Sequence, residues 1–245
     1  MMRWIWRGGL GLCLATALAG AGSAEPAKLS PEFQAQLEEG LLRVPVYPVM
    51  KQYYPEVYNN LLARAMDGLA QGKTILALQG EIRPTYLALL KAQLPKAEPA
   101  LVVALLELSR SETEGLVSAP SDCMSFLGLT PFQTRIDQLI SPDLAQKELK
   151  LDAQILQQTA THPYVRRPGP REPPTAAQMA LIAYDELPSD DSRQRFTRLS
   201  TNLRAATDPA DQRVVCEYMV GFFSALLKQT PEDAAAVFTG TSAKP

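Results

Sequence analysis

Histidine, cysteine and tryptophan are scarce in this chain of 245 residues, which contains one histidine, three cysteines and two tryptophans. The histidine is His162, and a single imidazole does not supply the several ligands that zinc hydrolases commonly use. The cysteines are too far apart in sequence for a zinc site, and they form no Cys-x-x-Cys redox motif. The sequence therefore predicts no metal site and no cofactor.

Motifs of nucleophilic and phosphate chemistry are also missing. No Gly-x-Ser-x-Gly elbow occurs, so a serine triad would depend on His162 alone. The stretch Gly72-Lys73-Thr74 lacks the earlier glycine of a Walker loop, and we interpret it as a helix end followed by a helix start. With a net charge of −2 the chain has no overall basic field, which argues against a nucleic-acid partner. These absences favour a protein without catalytic activity of its own.

The first 24 residues have the layout of a cleaved export signal. Arg3 and Arg7 form a positive start, residues 8–18 supply a short apolar run, and residues 20–24 are small and precede Glu25. The apolar run is far shorter than the roughly 20 residues that span a bilayer. We expect cleavage of residues 1–24, a location in the periplasm or outside the cell, and no membrane span.

Cys123 and Cys216 are the cysteines that remain after cleavage. Two cysteines in an oxidising compartment predict one disulfide. The alternative is two separate buried thiols, because both cysteines lie in apolar sequence of helical character. If the two cysteines pair, the bridge connects the two lobes described below.

Helix starts dominate the pattern along the chain. In several places a capping residue precedes a proline and then an acid, which is the order expected at a helix N-terminus. These capping residues are Ser30, Ser141, Asp208 and Thr230. Strand alternation and Asn-Gly or Asp-Gly hairpin turns are missing, so the sequence predicts an all-α fold. The predicted helices are 30–43, 45–53, 55–71, 74–94, 98–115, 120–127, 130–140, 141–159, 174–187, 189–206, 208–228 and 230–238.

A proline-rich linker divides the predicted helices into two groups. Five prolines occur between residues 163 and 174, together with Arg166, Arg167 and Arg171. Such a run is expected to be extended and exposed. It is either an ordinary connector or a strap that presents arginines to an acidic partner. We predict one helical domain at 25–245, a bundle of two packed lobes at 30–160 and 175–240 joined by the linker 161–174.

Tyrosine is concentrated in the segment 47–58, which contains half of the eight tyrosines of the chain. They are Tyr47, Tyr53, Tyr54 and Tyr58. Tyrosine is common at interfaces because it combines a large apolar area with a hydroxyl group. These residues are the first candidates for a binding face, followed by Arg166, Arg167 and Arg171. The alternative is that the rings pack this proline-broken segment onto the body of the protein.

Three function classes fit these patterns. The first is an exported protein that binds a protein partner, as an adaptor, a chaperone or an immunity-type inhibitor. The second is an enzyme that cleaves cell-envelope glycan with two carboxylates. Glu112 and Glu114 are its candidates, although acids at the end of an apolar helix are more typical of a solvated helix end. The third is a carrier of a small ligand or lipid, which would need a deep apolar cavity.

Overall fold

The computed structural model of this protein describes residues 30–131, 136–166 and 174–240. Within these ranges the chain forms helices and no strand, so the predicted all-α class is confirmed. The predicted export signal lies outside the described residues, as do Arg167 and Arg171. No helix in the described ranges has the length and apolar character needed to cross a membrane.

The helices follow one another in short steps along the chain. They are α1 (Pro31–Leu42), α2 (Val46–Tyr53), α3 (Pro55–Ala70), α4 (Ile75–Gln93), α5 (Pro99–Leu116), α6 (Pro120–Phe126), α7 (Ile136–Leu139), α8 (Pro142–Thr161), α9 (Ala176–Asp185), α10 (Asp190–Leu199), α11 (Pro209–Leu227) and α12 (Pro231–Thr239). Two short 3₁₀ helices, Leu94–Lys96 and Leu203–Ala205, lie between them.

The predicted capping residues begin their helices. The Ser30 side chain accepts a hydrogen bond from the backbone N–H of Phe33, and the Ser141 and Thr230 side chains accept equivalent bonds three residues ahead. Asp208 accepts from the N–H of Ala210 at 2.8 Å. Each bond satisfies an N–H group that has no partner within the helix. Local sequence therefore determines where these helices begin.

Two predicted helices differ from the observed ones. The predicted helix 189–206 ends at Leu199, and the chain resumes only as the 3₁₀ helix Leu203–Ala205. The intervening Ser-Thr-Asn sequence favours turns, because its side chains compete for backbone hydrogen bonds. Of the predicted helix 130–140, residues 130, 131 and 140 are not helical, residues 136–139 form α7, and residues 132–135 lie outside the described ranges.

One compact unit consists of the described residues 30–93 and 136–162. In this unit α2 packs against α3 and α8, and α4 packs against α3 and α8. The approach of α3 to α4 depends on Gly68, because a Cβ atom added there would lie 2.1 Å from Cδ2 of Leu78. Leu78 is fully buried, so its side chain has little room to move away.

The other compact unit consists of the described residues 94–131, 163–166 and 174–240. Helix α11 lies at its centre and contacts α5, α6, α9, α10 and α12. Aromatic rings fill part of this core, with Phe196 stacked on Tyr218 at a centroid distance of 3.9 Å. From Val214 to Leu227 helix α11 is apolar on nearly all sides, and none of its residues there is exposed.

The predicted disulfide is confirmed: Cys123 in α6 is bonded to Cys216 in α11, with their Cα atoms 6.4 Å apart. Cys123 lies in the predicted lobe 30–160 and Cys216 in the predicted lobe 175–240, but both belong to the same compact unit of the structure. The units depart from those lobes because α5 and α6 pack on α11, which comes much later in the chain. The assignment of 25–245 to a single domain stays a prediction.

Candidate functional site

Two of the four candidate tyrosines are core residues. Tyr47 and Tyr58 are each 2% exposed, and their rings meet edge to face at a centroid distance of 6.5 Å. The Tyr58 hydroxyl donates to Oε1 of Glu38 at 3.2 Å, and Lys51 binds the same oxygen at 2.8 Å. These rings pack α2 and α3 together, as in the packing alternative for this segment.

The other two tyrosines are partly exposed. The Tyr54 hydroxyl donates to the carbonyl oxygen of Leu156 at 2.9 Å, and it lies 3.1 Å from the hydroxyl of Thr159. Tyr54 therefore attaches the junction of α2 and α3 to α8. Tyr53 makes no hydrogen bond through its hydroxyl within the described ranges. It is the member of the group best placed to contact a partner.

A small apolar cavity lies beside the buried tyrosines. Its volume is about 10 Å³, enough for one water molecule. Pockets that hold drug-sized ligands are roughly 300–1,000 Å³. This cavity therefore does not fit the predicted carrier of a small ligand or lipid. Its walls are formed by Leu41, Tyr47, Tyr58, Leu61, Leu62, Ala65 and Ile82.

Buried polar side chains, which the sequence analysis missed, occupy one face of α4 and one face of α8. Gln79, Arg83 and Tyr86 on α4 are at most 8% exposed, and Glu148 and Asp152 on α8 are at most 3% exposed. Their spacing of three or four residues places them on one side of each helix. That spacing was a usable signal, but polar residues at helical spacing more often indicate a solvated face.

Tyr86 and Asp152 form the best-defined contact in this polar group. The Tyr86 hydroxyl donates to Oδ2 of Asp152 at 2.5 Å, and Tyr86 is fully buried. Burial raises the pKa of Tyr86 well above 10, and the nearby Asp152, Glu148 and Tyr47 raise it further. A neutral phenol that donates to a carboxylate makes a strong, charge-assisted hydrogen bond. The burial of both groups suits an internal structural contact rather than attack on a glycan polymer.

The raised tyrosine pKa values predict loss of stability in alkali. Burial raises the pKa of Tyr58 and of Tyr218 to about 12, and it also raises the pKa of Tyr86 well above 10. An unfolded tyrosine deprotonates near pH 10, so the unfolded chain binds fewer protons than the folded chain above that pH. The stability contributed by these phenols is complete below pH 10 and is lost as the pH rises through the folded-state pKa values.

Ultraviolet absorbance of tyrosinate, recorded with circular dichroism from pH 8 to 13, measures this effect. We expect the buried tyrosines to ionise together with the loss of helix, at a pH above that of the exposed ones. Ionisation of all eight tyrosines near pH 10 with the helix content unchanged would contradict the assignment.

The two predicted glycan-cleaving acids lie in different environments. Glu112 is 2% exposed, whereas Glu114 is exposed at the surface of α5. Residues that are two positions apart in an α-helix are separated by about 200° around the helix axis, so Glu112 and Glu114 lie on opposite sides of α5. The interpretation of this stretch as a solvated helix end is wrong for Glu112, because α5 continues to Leu116 with one face packed inward.

The candidate arginine strap is described only as far as Arg166. Its Nη1 donates to the carbonyl oxygen of Glu232 at 3.1 Å, and burial lowers the pKa of this half-buried guanidinium. The backbone N–H of Tyr164 donates to the carbonyl oxygen of Lys96 at 2.8 Å. Arg166 is thus held against its own unit. The lone histidine, His162, is exposed at the end of α8 and contacts the hydroxyl of Thr161.

The outer face of α9 is the second feature that the sequence analysis missed. Among the described residues, three large apolar side chains are exposed, and two of them are neighbours on α9: Leu181 is 64% and Ile182 is 37% exposed. Val165 is the third. The signal in the sequence was that α9 has apolar residues on all sides, although it is not buried on all sides.

Helix α9 is held firmly in place despite this exposed face. Thr175 and Gln178 form a reciprocal capping box at its start. On its inner face Met179 and Ala183 are buried, and Gly221 of α11 lies beside the Ala183 backbone. The exposure of Leu181 and Ile182 is therefore a property of a well-packed helix.

No group of three or more histidine, cysteine, aspartate or glutamate residues within the described ranges is arranged to hold a metal ion. Comparison of this chain with protein-family models, with curated proteins and with solved structures finds no match.

Proposed function

We propose that the mature protein is an exported binding protein whose α9 surface contacts another protein. The α9 surface is the outward face of that helix, centred on Leu181 and Ile182. The observation that carries the proposal is the exposure of these two neighbouring apolar side chains on a firmly packed helix. Exposed apolar residues that lie together are typical of protein contact sites.

The exposed parts of these two side chains are not used in the packing of α9. The contact of α9 with the rest of its unit uses Met179 and Ala183, which are 2% and 1% exposed. Removal of an apolar side chain such as leucine from water is worth about 1.5–3 kcal/mol. A partner that covers the exposed parts of Leu181 and Ile182 would gain the share of that free energy that the isolated protein leaves unused.

The confirmed disulfide supports the export part of the proposal. Disulfides persist in oxidising compartments and are rare in the cytosol. A surface of this kind fits an adaptor, a chaperone or an immunity-type inhibitor, since all three act by binding a protein.

Capture from the native host tests the proposal with three tagged forms of the mature protein. The test form carries Leu181→Gln and Ile182→Gln, and the control carries Val165→Gln, which removes the third large apolar side chain that is exposed among the described residues. We expect at least one protein to be retained by the wild type and by the control. Its amount on the double variant should fall about tenfold or more, the factor that 1.4 kcal/mol produces.

Circular dichroism and thermal unfolding of all three forms provide the fold control. Leu181 is 64% and Ile182 is 37% exposed, so we expect the double variant to stay folded with a small decrease in its unfolding midpoint. Retention of the same proteins by all three forms would refute a binding role for the α9 surface.

A further inference from the structure

We infer that the partner covers the α9 surface with an amphipathic segment whose apolar residues are accompanied by lysine or arginine. This inference rests on the proposed function and adds the chemistry of the partner. Its first basis is the order of residues along α9. Asp185 and Glu186 follow Leu181 and Ile182 by four residues, so an acidic pair lies one turn beyond the apolar pair on the same face.

The surrounding sequence has acids and no bases. Between residues 172 and 192 there is no lysine or arginine, and four acids follow the apolar pair: Asp185, Glu186, Asp190 and Asp191. Ion pairs within the unit compensate three of these acids, with Arg193, Arg195 and Lys228 as partners. Asp185 is exposed and has no ion pair among the described residues. It is the acid that a cation from outside would meet beside the apolar pair.

The position of Asp185 in its helix strengthens this argument. The C-terminal end of a helix carries a partial negative charge, and bases are favoured there. The last turn of α9 contains no base, and Asp185 stands in it. The carboxylate of Asp185 is therefore repelled by the partial negative charge at the end of its own helix. A partner's lysine or arginine would compensate both the carboxylate and the helix end.

Other occupants fit these charges less well. A second copy of the chain would bring the same acids to the contact and no base from α9. An anionic membrane surface would be repelled by them. A neutral apolar segment would cover Leu181 and Ile182 and leave Asp185 uncompensated. These alternatives give different results in the experiment that follows.

Binding of two labelled peptides to the mature protein tests the inference. One peptide is an amphipathic helix of leucine and lysine, and the other has glutamate in place of every lysine. Fluorescence anisotropy at low and high salt measures each dissociation constant. We expect the lysine peptide to bind and its dissociation constant to increase as the salt concentration rises. We expect no binding of the glutamate peptide.

Variants assign the binding to the α9 surface. Asp185→Lys should lower the affinity for the lysine peptide about tenfold or more. The matched charge change Glu114→Lys, at an exposed position in the same unit, should change this affinity less than about twofold. Leu181→Gln with Ile182→Gln should also weaken it about tenfold or more. Because lysine is favoured at a helix C-terminus, Asp185→Lys should keep or raise the thermal unfolding midpoint.

Several outcomes would overturn the inference. One is equal binding of the glutamate peptide, and another is equal effects of Asp185→Lys and Glu114→Lys. A dimer in analytical ultracentrifugation that the Leu181 and Ile182 variant abolishes would assign the surface to a second copy. Binding of anionic vesicles that the same variant abolishes would assign the α9 surface to a membrane. If the host partner is lost from the apolar variant but retained by Asp185→Lys, the proposed function stands and this inference fails; if no partner is lost from the apolar variant, the proposed function itself fails.

Discussion

Replacement of Cys123 and Cys216 together by alanine is expected to lower the free energy of unfolding by about 4 kcal/mol. The bridge closes a loop with a sequence separation of 93 residues, and in the chain-entropy model a loop of that length strongly restricts the unfolded chain. A loss of this size is a large part of the 5–15 kcal/mol that is typical of a folded protein. Urea denaturation of the wild type and the double variant measures it.

Access to the bridge gives an independent check. Both cysteines are completely buried, so a reductant at neutral pH should leave the folded protein bonded. Denaturant together with reductant should make both thiols react with an alkylating reagent. Equal unfolding free energies for the wild type and the double variant, or rapid alkylation of the folded protein, would contradict a stabilising buried bridge.

Tyr86→Phe should lower the free energy of unfolding by about 2–3 kcal/mol, the second largest effect expected. This change removes only the hydroxyl that donates to Asp152 and leaves the ring in place. The loss is large because the bond is made to the carboxylate of Asp152, which is only 1% exposed. Water does not reach this carboxylate and so does not replace the lost donor. Chemical denaturation gives the value, and the Asp152→Asn variant and the double variant complete a thermodynamic cycle.

Tyr184→Phe is the matched control for this prediction. The Tyr184 hydroxyl lies 3.2 Å from the hydroxyl of Thr197 at the surface, where water substitutes for the lost bond. We expect a change within about 0.5 kcal/mol. Equal effects of the two Tyr→Phe changes would show that the contact of Tyr86 with Asp152 has no special weight.

The helix starts could be predicted because their causes are local. Ser30, Ser141, Asp208 and Thr230 each satisfy an N–H group within three residues. The grouping of helices into units could not be predicted in this way. It depends on which apolar faces meet, and α11 meets α5 and α6 although Cys216 and Cys123, which join α11 to α6, are 93 residues apart in the chain. One sequence holds little information about such pairings.

The candidate site shows the same division between local and distant causes. The tyrosine-rich segment was visible from composition, but only packing reveals that Tyr47 and Tyr58 face inward. For α9 the composition misleads in the opposite direction, since an apolar helix leaves Leu181 and Ile182 exposed. Composition counts residues of a given type, whereas exposure depends on the neighbours that the fold places beside them.

The interleaving of the two units has a consequence for how the chain is made. Each unit is built from stretches that are separated by part of the other, at 30–93 with 136–162 and at 94–131 with 174–240. During synthesis from the N-terminus, the first unit is incomplete until α8 has been made. By that time α5 and α6 have also been made, but α11, on which they pack, has not. A single truncation after residue 162, or before residue 94, therefore leaves all the stretches of one unit and only part of the other. A protease cut near residue 93 or 163 would divide the stretches of one unit between the two fragments.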